Sequence, residues 1–140
     1  MTMRFFATPQ DAEAAFYDAL ERADLDAMMA IWAEDEEVLC THPGGERQGG
    51  FAAVREGWRQ VFSSGPRASV RLSDQVHRQG ILLALHSTHE HYSVPGEEAQ
   101  RPPVIASNVY VRGAQGWHLL SRHASCAPAP LSADVSATLH

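Results

Sequence analysis

At 140 residues the chain is one domain, long enough to bury a proper core. The formal net charge is −6 and all 11 basic residues are arginines, spread singly, which argues against nucleic acid or an anionic membrane as a main partner. No apolar run approaches the ~20 residues of a membrane span, and Met1–Ala7 is too weakly apolar for a signal peptide, so the expected location is cytoplasmic.

Thr8-Pro9-Gln10-Asp11 opens the first helix. Thr8 can cap, Pro9 suits the first helical position, and Asp11 sits at the positive end of the dipole. Ala12, Phe16, Ala19, Leu20 and Ala23 then fall on one stripe. Asp24 caps a second helix whose apolar face is Leu25, Met28, Met29 and Trp32. The acidic run Glu34 to Glu37 is badly placed at a helix C-terminus and is expected in solvent.

Val38 to His42 reads as a short strand. Proline disfavours the α region for its predecessor, so His42, before Pro43, is extended or in a turn. Alternation puts Val38, Cys40 and His42 on one face. Residues 44–50 form a turn region with a possible short return strand. Phe51 to Phe62 is a third helix with Phe51, Val54, Trp58, Val61 and Phe62 as its stripe, ended by Ser63 to Pro66.

From Arg67 the period changes to two. Ala68, Val70, Leu72 and Val76 alternate with polar residues, and His77 to Gly80 turns into a long strand from Ile81 to Val94. Ile81 to Leu85 is apolar on both faces, so both are expected to be covered. Val104 to Arg112 is the next strand, Gly113 to Gly116 a hairpin turn, and Trp117 to Ala124 the last strand. Residues 8–126 are read as the domain and 127–140 as a proline-broken tail.

The order helix, helix, strand, helix and four strands argues an α+β fold, with three N-terminal helices packed on one face of a curved, mostly antiparallel sheet of five or six strands. A curved sheet wrapped over helices leaves a cone with an open mouth, where small-molecule sites form.

This order resembles the nuclear transport factor 2-like superfamily, and within it the SnoaL-like branch related to ketosteroid isomerase. The resemblance rests on Ala30-Ile31-Trp32-Ala33-Glu34-Asp35, Val38…His42-Pro43-Gly44, Gly49…Trp58, Asn108-Val109-Tyr110 and Gly116-Trp117…Arg122-His123-Ala124-Ser125. It implies a cystatin-like cone and a homodimer formed through the outer sheet face. Ketosteroid isomerases place an aspartate base before a proline on the strand after helix two; here that place holds His42. Their tyrosine on the first helix falls near Tyr17, and Asn108 is the nearest polar match to their second oxyanion-hole acid. The cyclase branch uses a carboxylate on a late strand, where this chain has His123 and Ser125. The chain thus departs from both carboxylate arrangements.

Proton transfer next to a carbonyl needs a base near pKa 7 and a donor for the enolate oxygen. Histidine supplies such a base without a carboxylate's burial. His42 and His123 are therefore the catalytic candidates, with Trp32, Trp58, Asn108, Tyr110 and Ser125 as ligand-binding candidates. Each has a plainer role open to it: a backbone-bonded turn histidine, core aromatics, a satisfied core amide, a strand-end cap. On the strand from Ile81, either His89 and His91 or the face of Ala84, His86, Thr88, Glu90 and Tyr92 could line the pocket, where Glu90 could orient a histidine. His89-x-His91 invites a metal, but no Cys pair or HExxH pattern supports one. No metal and no cofactor are expected. Cys40 lacks an activating loop or helix N-terminus for a nucleophile, and a Cys40–Cys126 bridge is not expected in a reducing compartment.

The expected function is a SnoaL-like protein binding a small apolar or amphipathic molecule, with isomerase, cyclase or dehydratase chemistry open to it. The alternative is a non-catalytic ligand-binding or dimeric association module.

Overall fold

The computed structural model describes residues 4–128. Three helices, α1 (Pro9–Arg22), α2 (Leu25–Met29) and α3 (Phe51–Ser64), pack on a six-stranded sheet. The strands are β1 (Leu39–Thr41), β2 (Arg47–Gly49), β3 (Ser69–Gln79), β4 (Leu83–Ser93), β5 (Val104–Gly113) and β6 (Gly116–Cys126). They lie in the order β2-β1-β6-β5-β4-β3. All neighbours are antiparallel except β1 and β6, so the sheet is mixed. The architecture is the α+β cone.

The caps act as their residue types dictate. Thr8 Oγ1 accepts from the Asp11 amide at 3.0 Å, and Asp24 Oδ1 accepts from the Ala27 amide at 3.0 Å. Helix α2 stops at Met29, however, and Trp32 is not on it. Residues 31–33 run extended beside β6 instead: the Leu119 amide donates to Ile31 O at 2.8 Å and the Ala33 amide to Leu119 O at 2.9 Å. Pairing to an existing strand satisfies backbone groups that another helical turn would have satisfied, and it buries Trp32 completely. Residues 34–37 are exposed, as their charge requires.

Two β-bulges decide which side chains enter the cone. On β6, Val109 pairs with Ser121 but Tyr110 pairs with Leu119, so Leu120 is the extra residue. On β3, Ser73 pairs with His89 and Val76 with Ser87, so the chain gains a residue around Asp74, whose φ is +51°. An inserted residue reverses the in–out alternation beyond it. Trp117 and Leu119 therefore point inward before the first bulge, and Arg122 and Ala124 after it. In the same way Val70 and Leu72 pack on the core, while Val76 lies 44% exposed on the outer face.

The core joins Phe16 and Ala19 of α1, Met28 and Met29 of α2, Val54 and Trp58 of α3, and Tyr110, Trp117 and Leu119 of the sheet. The outer face is different. Ile81, Leu82, Leu83 and Leu85 are 81%, 61%, 51% and 39% exposed, and only Ala84 in that run is buried. The chain by itself covers one face of this run, not both.

Candidate functional site

The interior of the cone holds a polar network. Glu90 on β4 and Arg122 on β6 form a bidentate pair, with Nη1 to Oε2 at 2.7 Å and Nη2 to Oε1 at 2.9 Å. Tyr17 of α1 donates to Glu90 Oε2 at 2.6 Å, and Tyr92 donates to Oε1 at 2.7 Å. Arg122 Nη1 also donates to Asn108 Oδ1 at 3.2 Å, and Asn108 Nδ2 donates to the Tyr17 hydroxyl at 3.2 Å. The Arg122 guanidinium lies 4.9 Å from the Phe16 ring centroid. Its Nε is buried without a partner among the described residues.

The electrostatics follow from that geometry. Burial by itself would raise the Glu90 carboxyl, but the Arg122 charge and the hydrogen bonds from Arg122, Tyr17 and Tyr92 outweigh it and hold Glu90 below the usual carboxylate range. Burial pushes both Tyr17 and Tyr92 above the ordinary phenol value. Glu90 is therefore an ionised acceptor with four donors on it. Such a carboxylate is poorly available as a base, and the network holds the walls of the cone together.

A cavity of about 340 Å³ opens beside this network. Leu20 of α1, Phe62 of α3, Val70 of β3, Tyr92 of β4, Val104 of β5 and Cys126 of β6 line it, with Arg67 and Arg101 also in its wall. It is therefore an apolar hollow at the open end of the cone. Tyr92 links it to the interior, since it lines the hollow and its hydroxyl bonds Glu90. Arg101 is held by Glu97 through contacts of 2.9 and 2.8 Å.

The candidates from the sequence fall in different places. His42 is half-buried, and it shares a face with buried Val38 and Cys40 as alternation requires. Its Nε2 lies 3.7 Å from Cys40 Sγ, and its ring stands edge-on to Trp58 with centroids 4.6 Å apart. Burial, then the Arg122 charge, lowers its pKa to about 4, so the imidazole is neutral at pH 7. His42 does not line the cavity. Trp58 next to it packs on Phe62, which does. Trp32 and Trp58 are fully buried core residues, and their indole N–H groups find no acceptor among the described residues.

Asn108 and Tyr110 point inward and are fully buried, Asn108 within the network. His123 and Ser125 are exposed on the opposite face from Arg122. The expected convergence of these two with His42 does not occur, because the bulge at Leu120 reverses their parity. Burial pushes the Cys40 thiol up to about 12, so it is a protonated core group. Among the described residues both cysteines are free. On β4 the inward face is Ala84, His86, Thr88 and Glu90. Strict alternation from Trp117 faces Arg122 outward, so the pattern of the strand does not reveal it. A lone arginine with Leu120 two residues before it and Ala124 two residues after it is the signal that could have found it.

The fold and interior thus define a cone-shaped α+β domain with a charged, hydrogen-bonded floor and an apolar mouth. The chain belongs to the SnoaL-like domain family, whose model matches residues 10–130. It is similar to a candidate calcium/calmodulin-dependent protein kinase type II association domain from Thiobacillus denitrificans, with 38% identity, coverage of 89% of this chain and 98% of that one, and a TM-score of 0.84. It is also similar to a candidate dehydratase of the NTF2-like family from Streptomyces avermitilis, with 27% identity, coverage of 84% and 92%, and a TM-score of 0.76. A candidate ketosteroid isomerase from Parabacteroides distasonis shares the fold at 17% identity, with coverage of 85% and 87% and a TM-score of 0.70. No curated protein matches the chain by sequence. Among the described residues no helix is long and apolar enough to cross a membrane.

Proposed function

We propose that this domain binds a small, largely apolar or amphipathic molecule at the mouth of the cone and acts as a binding and association module. The observation that carries the reading is the 340 Å³ apolar hollow with Tyr92 in its wall. That volume is in the range of small-molecule sites, and its make-up, apolar walls with a few polar groups, is the usual one. Arg67 offers a charge to an acidic end of the ligand. The association half is supported by the exposed apolar run Ile81 to Leu83 with Leu85 and Val76, which a second copy would cover. The relative named as an association domain agrees with it.

The catalytic reading keeps His42 as a base and is the alternative, in line with the relative named as a dehydratase. A neutral imidazole can take a proton, but one with a pKa near 4 is a weak base at neutral pH. His123, on the outer face, has no place in the same site.

A fluorescence titration with 8-anilinonaphthalene-1-sulfonate, an apolar probe with an anionic end, tests the binding reading. The wild type should bind about one probe per chain, and Val70→Trp, which fills the hollow, should weaken that binding about tenfold or more while keeping the circular dichroism spectrum. Equal binding by both proteins would refute the assignment of the hollow.

A further inference from the structure

The charged side chains at the mouth of the cone are of one sign. The chain has 17 acidic and 11 basic residues, yet no Asp or Glu lines the hollow. Its two charged groups are Arg67, between α3 and β3, and Arg101, between β4 and β5. Both are exposed, whereas Val104 in the same wall is buried. The cations therefore stand at the rim and apolar surface lies below them. We propose that the hollow takes monoanionic amphiphiles, namely medium-chain carboxylic acids whose tail fills the apolar part and whose carboxylate meets Arg67 and Arg101. This rests on the reading of the hollow as a small-molecule site and adds the class of ligand.

Size sets the length of the tail. If each non-hydrogen atom takes the ~30 Å³ that a water molecule occupies in the liquid, a cavity of about 340 Å³ holds about eleven. Charge sets the head group. Arginine is a donor without acceptor capacity, and the Tyr92 hydroxyl already donates to Glu90 Oε1 at 2.7 Å. A cationic head group thus finds no carboxylate in the wall, while an acid finds two guanidinium groups. Among the described residues Arg67 has no carboxylate within ion-pair distance. Glu21 borders an adjoining groove together with Arg67, but its Oε2 accepts from the Val70 amide at 2.7 Å.

Arg101 adds an observation of its own. Its Nε donates to Glu97 Oε1 at 2.9 Å and its Nη2 to Oε2 at 2.8 Å. This two-point geometry is the one an arginine makes with the carboxylate of a ligand. Glu97 thus stands where the ligand's head group would stand. The side chains of Arg101 and Glu97 are 46% and 41% exposed, and an ion pair so placed contributes little to stability and is open to exchange. Glu97 is therefore an internal competitor that sets how strongly Arg101 takes an acid.

The test is isothermal titration of the full chain at low salt with octanoate, octanol and octylammonium, three compounds with one tail. Octanoate should bind about fivefold or more tighter than octanol, and octylammonium more weakly than octanol. High salt should shrink the preference for the acid, since both cations are at the rim. Arg67, Glu97 and Arg101 are exposed, so variants there keep the fold. Arg67→Gln/Arg101→Gln should bring octanoate and octanol to within about twofold of each other. Glu97→Gln, which frees Arg101, should tighten octanoate about threefold or more without tightening octanol. Val70→Trp should weaken all three compounds. The proposal fails if octanoate and octanol bind the wild type alike, if the double arginine variant keeps the preference, or if Glu97→Gln leaves octanoate binding unchanged. Where binding is still lost in Val70→Trp, those results overturn only the preference for acids. No binding of any compound, or binding indifferent to Val70→Trp, overturns the reading of the hollow itself and the ligand class with it.

Discussion

Replacing Glu90 with Gln removes one charge from the buried pair and leaves almost the same volume. Arg122 is 3% exposed and Glu90 fully buried, so no water can take over. The guanidinium would keep only Asn108 Oδ1, the Phe16 ring and a neutral amide. Breaking a buried pair from one side costs about 3–5 kcal/mol, because a desolvated charge is left without its counter-charge. For a domain of this size that lowers Tm by roughly 10–20 °C. Glu90 has a folded pKa below its unfolded value. Its contribution is therefore fully present above about pH 4.3 and is lost as the pH falls through the folded value. Urea unfolding followed by circular dichroism, between pH 3 and pH 7, reads both effects. Glu90→Gln should lose stability at pH 7 and show a flatter acid limb than the wild type. The double variant Glu90→Leu/Arg122→Met should recover most of the loss, since two apolar groups leave no charge stranded. A Glu90→Gln protein within about 1 kcal/mol of wild type, with an unchanged acid limb, would refute a net role for the pair.

Three further outcomes follow from particular contacts. The His42 ring, followed by NMR, should titrate with a midpoint of about 4; the stability linked to its neutral form is complete above about pH 6.5 and falls away as the pH drops toward the folded value. A midpoint near 6.5 would place the ring in water. Gly116 has φ +86°, and a Cβ there would collide with Phe6 O, which accepts from the Trp117 amide. Gly116→Ala should therefore cost more than about 2 kcal/mol in urea unfolding, and a smaller loss would mean that the Phe6 segment moves aside freely. Leu83→Lys, on the exposed apolar run, should turn a dimeric wild type into a monomer in light scattering; identical masses would remove that face from the association reading.

Local rules carried much of the fold. Thr8 and Asp24 announce their helices because an oxygen side chain before an apolar stripe has few other uses. The β5–β6 hairpin is legible from Gly113 and Gly116, and the β3–β4 pair from the change of period, but its turn is not: His77 to Gln79, expected as a turn, continue β3, and β4 starts only at Leu83. His42 could be placed at a strand end because Pro43 restricts it and Cys40 shares its face. Trp32 was misplaced on α2, since its spacing fits a helical stripe while the backbone of residues 31–33 gains more by pairing with β6. An open mouth follows from the element order, but its lining does not: Leu20, Phe62, Val70 and Val104 come from four elements, and only the curvature of the sheet brings them together.

The site fails to read from the sequence for one physical reason. Alternation is a local rule, and each bulge changes its sign for every residue beyond it. On β6 a single extra residue exchanges His123 for Arg122 in the interior, replacing a titratable base with a permanent charge. That charge then needs Glu90, and Glu90 paired with Arg122 is no longer free to act as a base. On β3 the same device exchanges Val76 for His77, adding an apolar side chain to the outer face and an imidazole to the inner one. Both exchanges move the interior away from a carboxylate-based isomerase and toward a fixed polar floor under a binding hollow. The outer face becomes more apolar by the same step. The proposed hollow thus draws on the irregularity in β6, and the proposed association face on the one in β3.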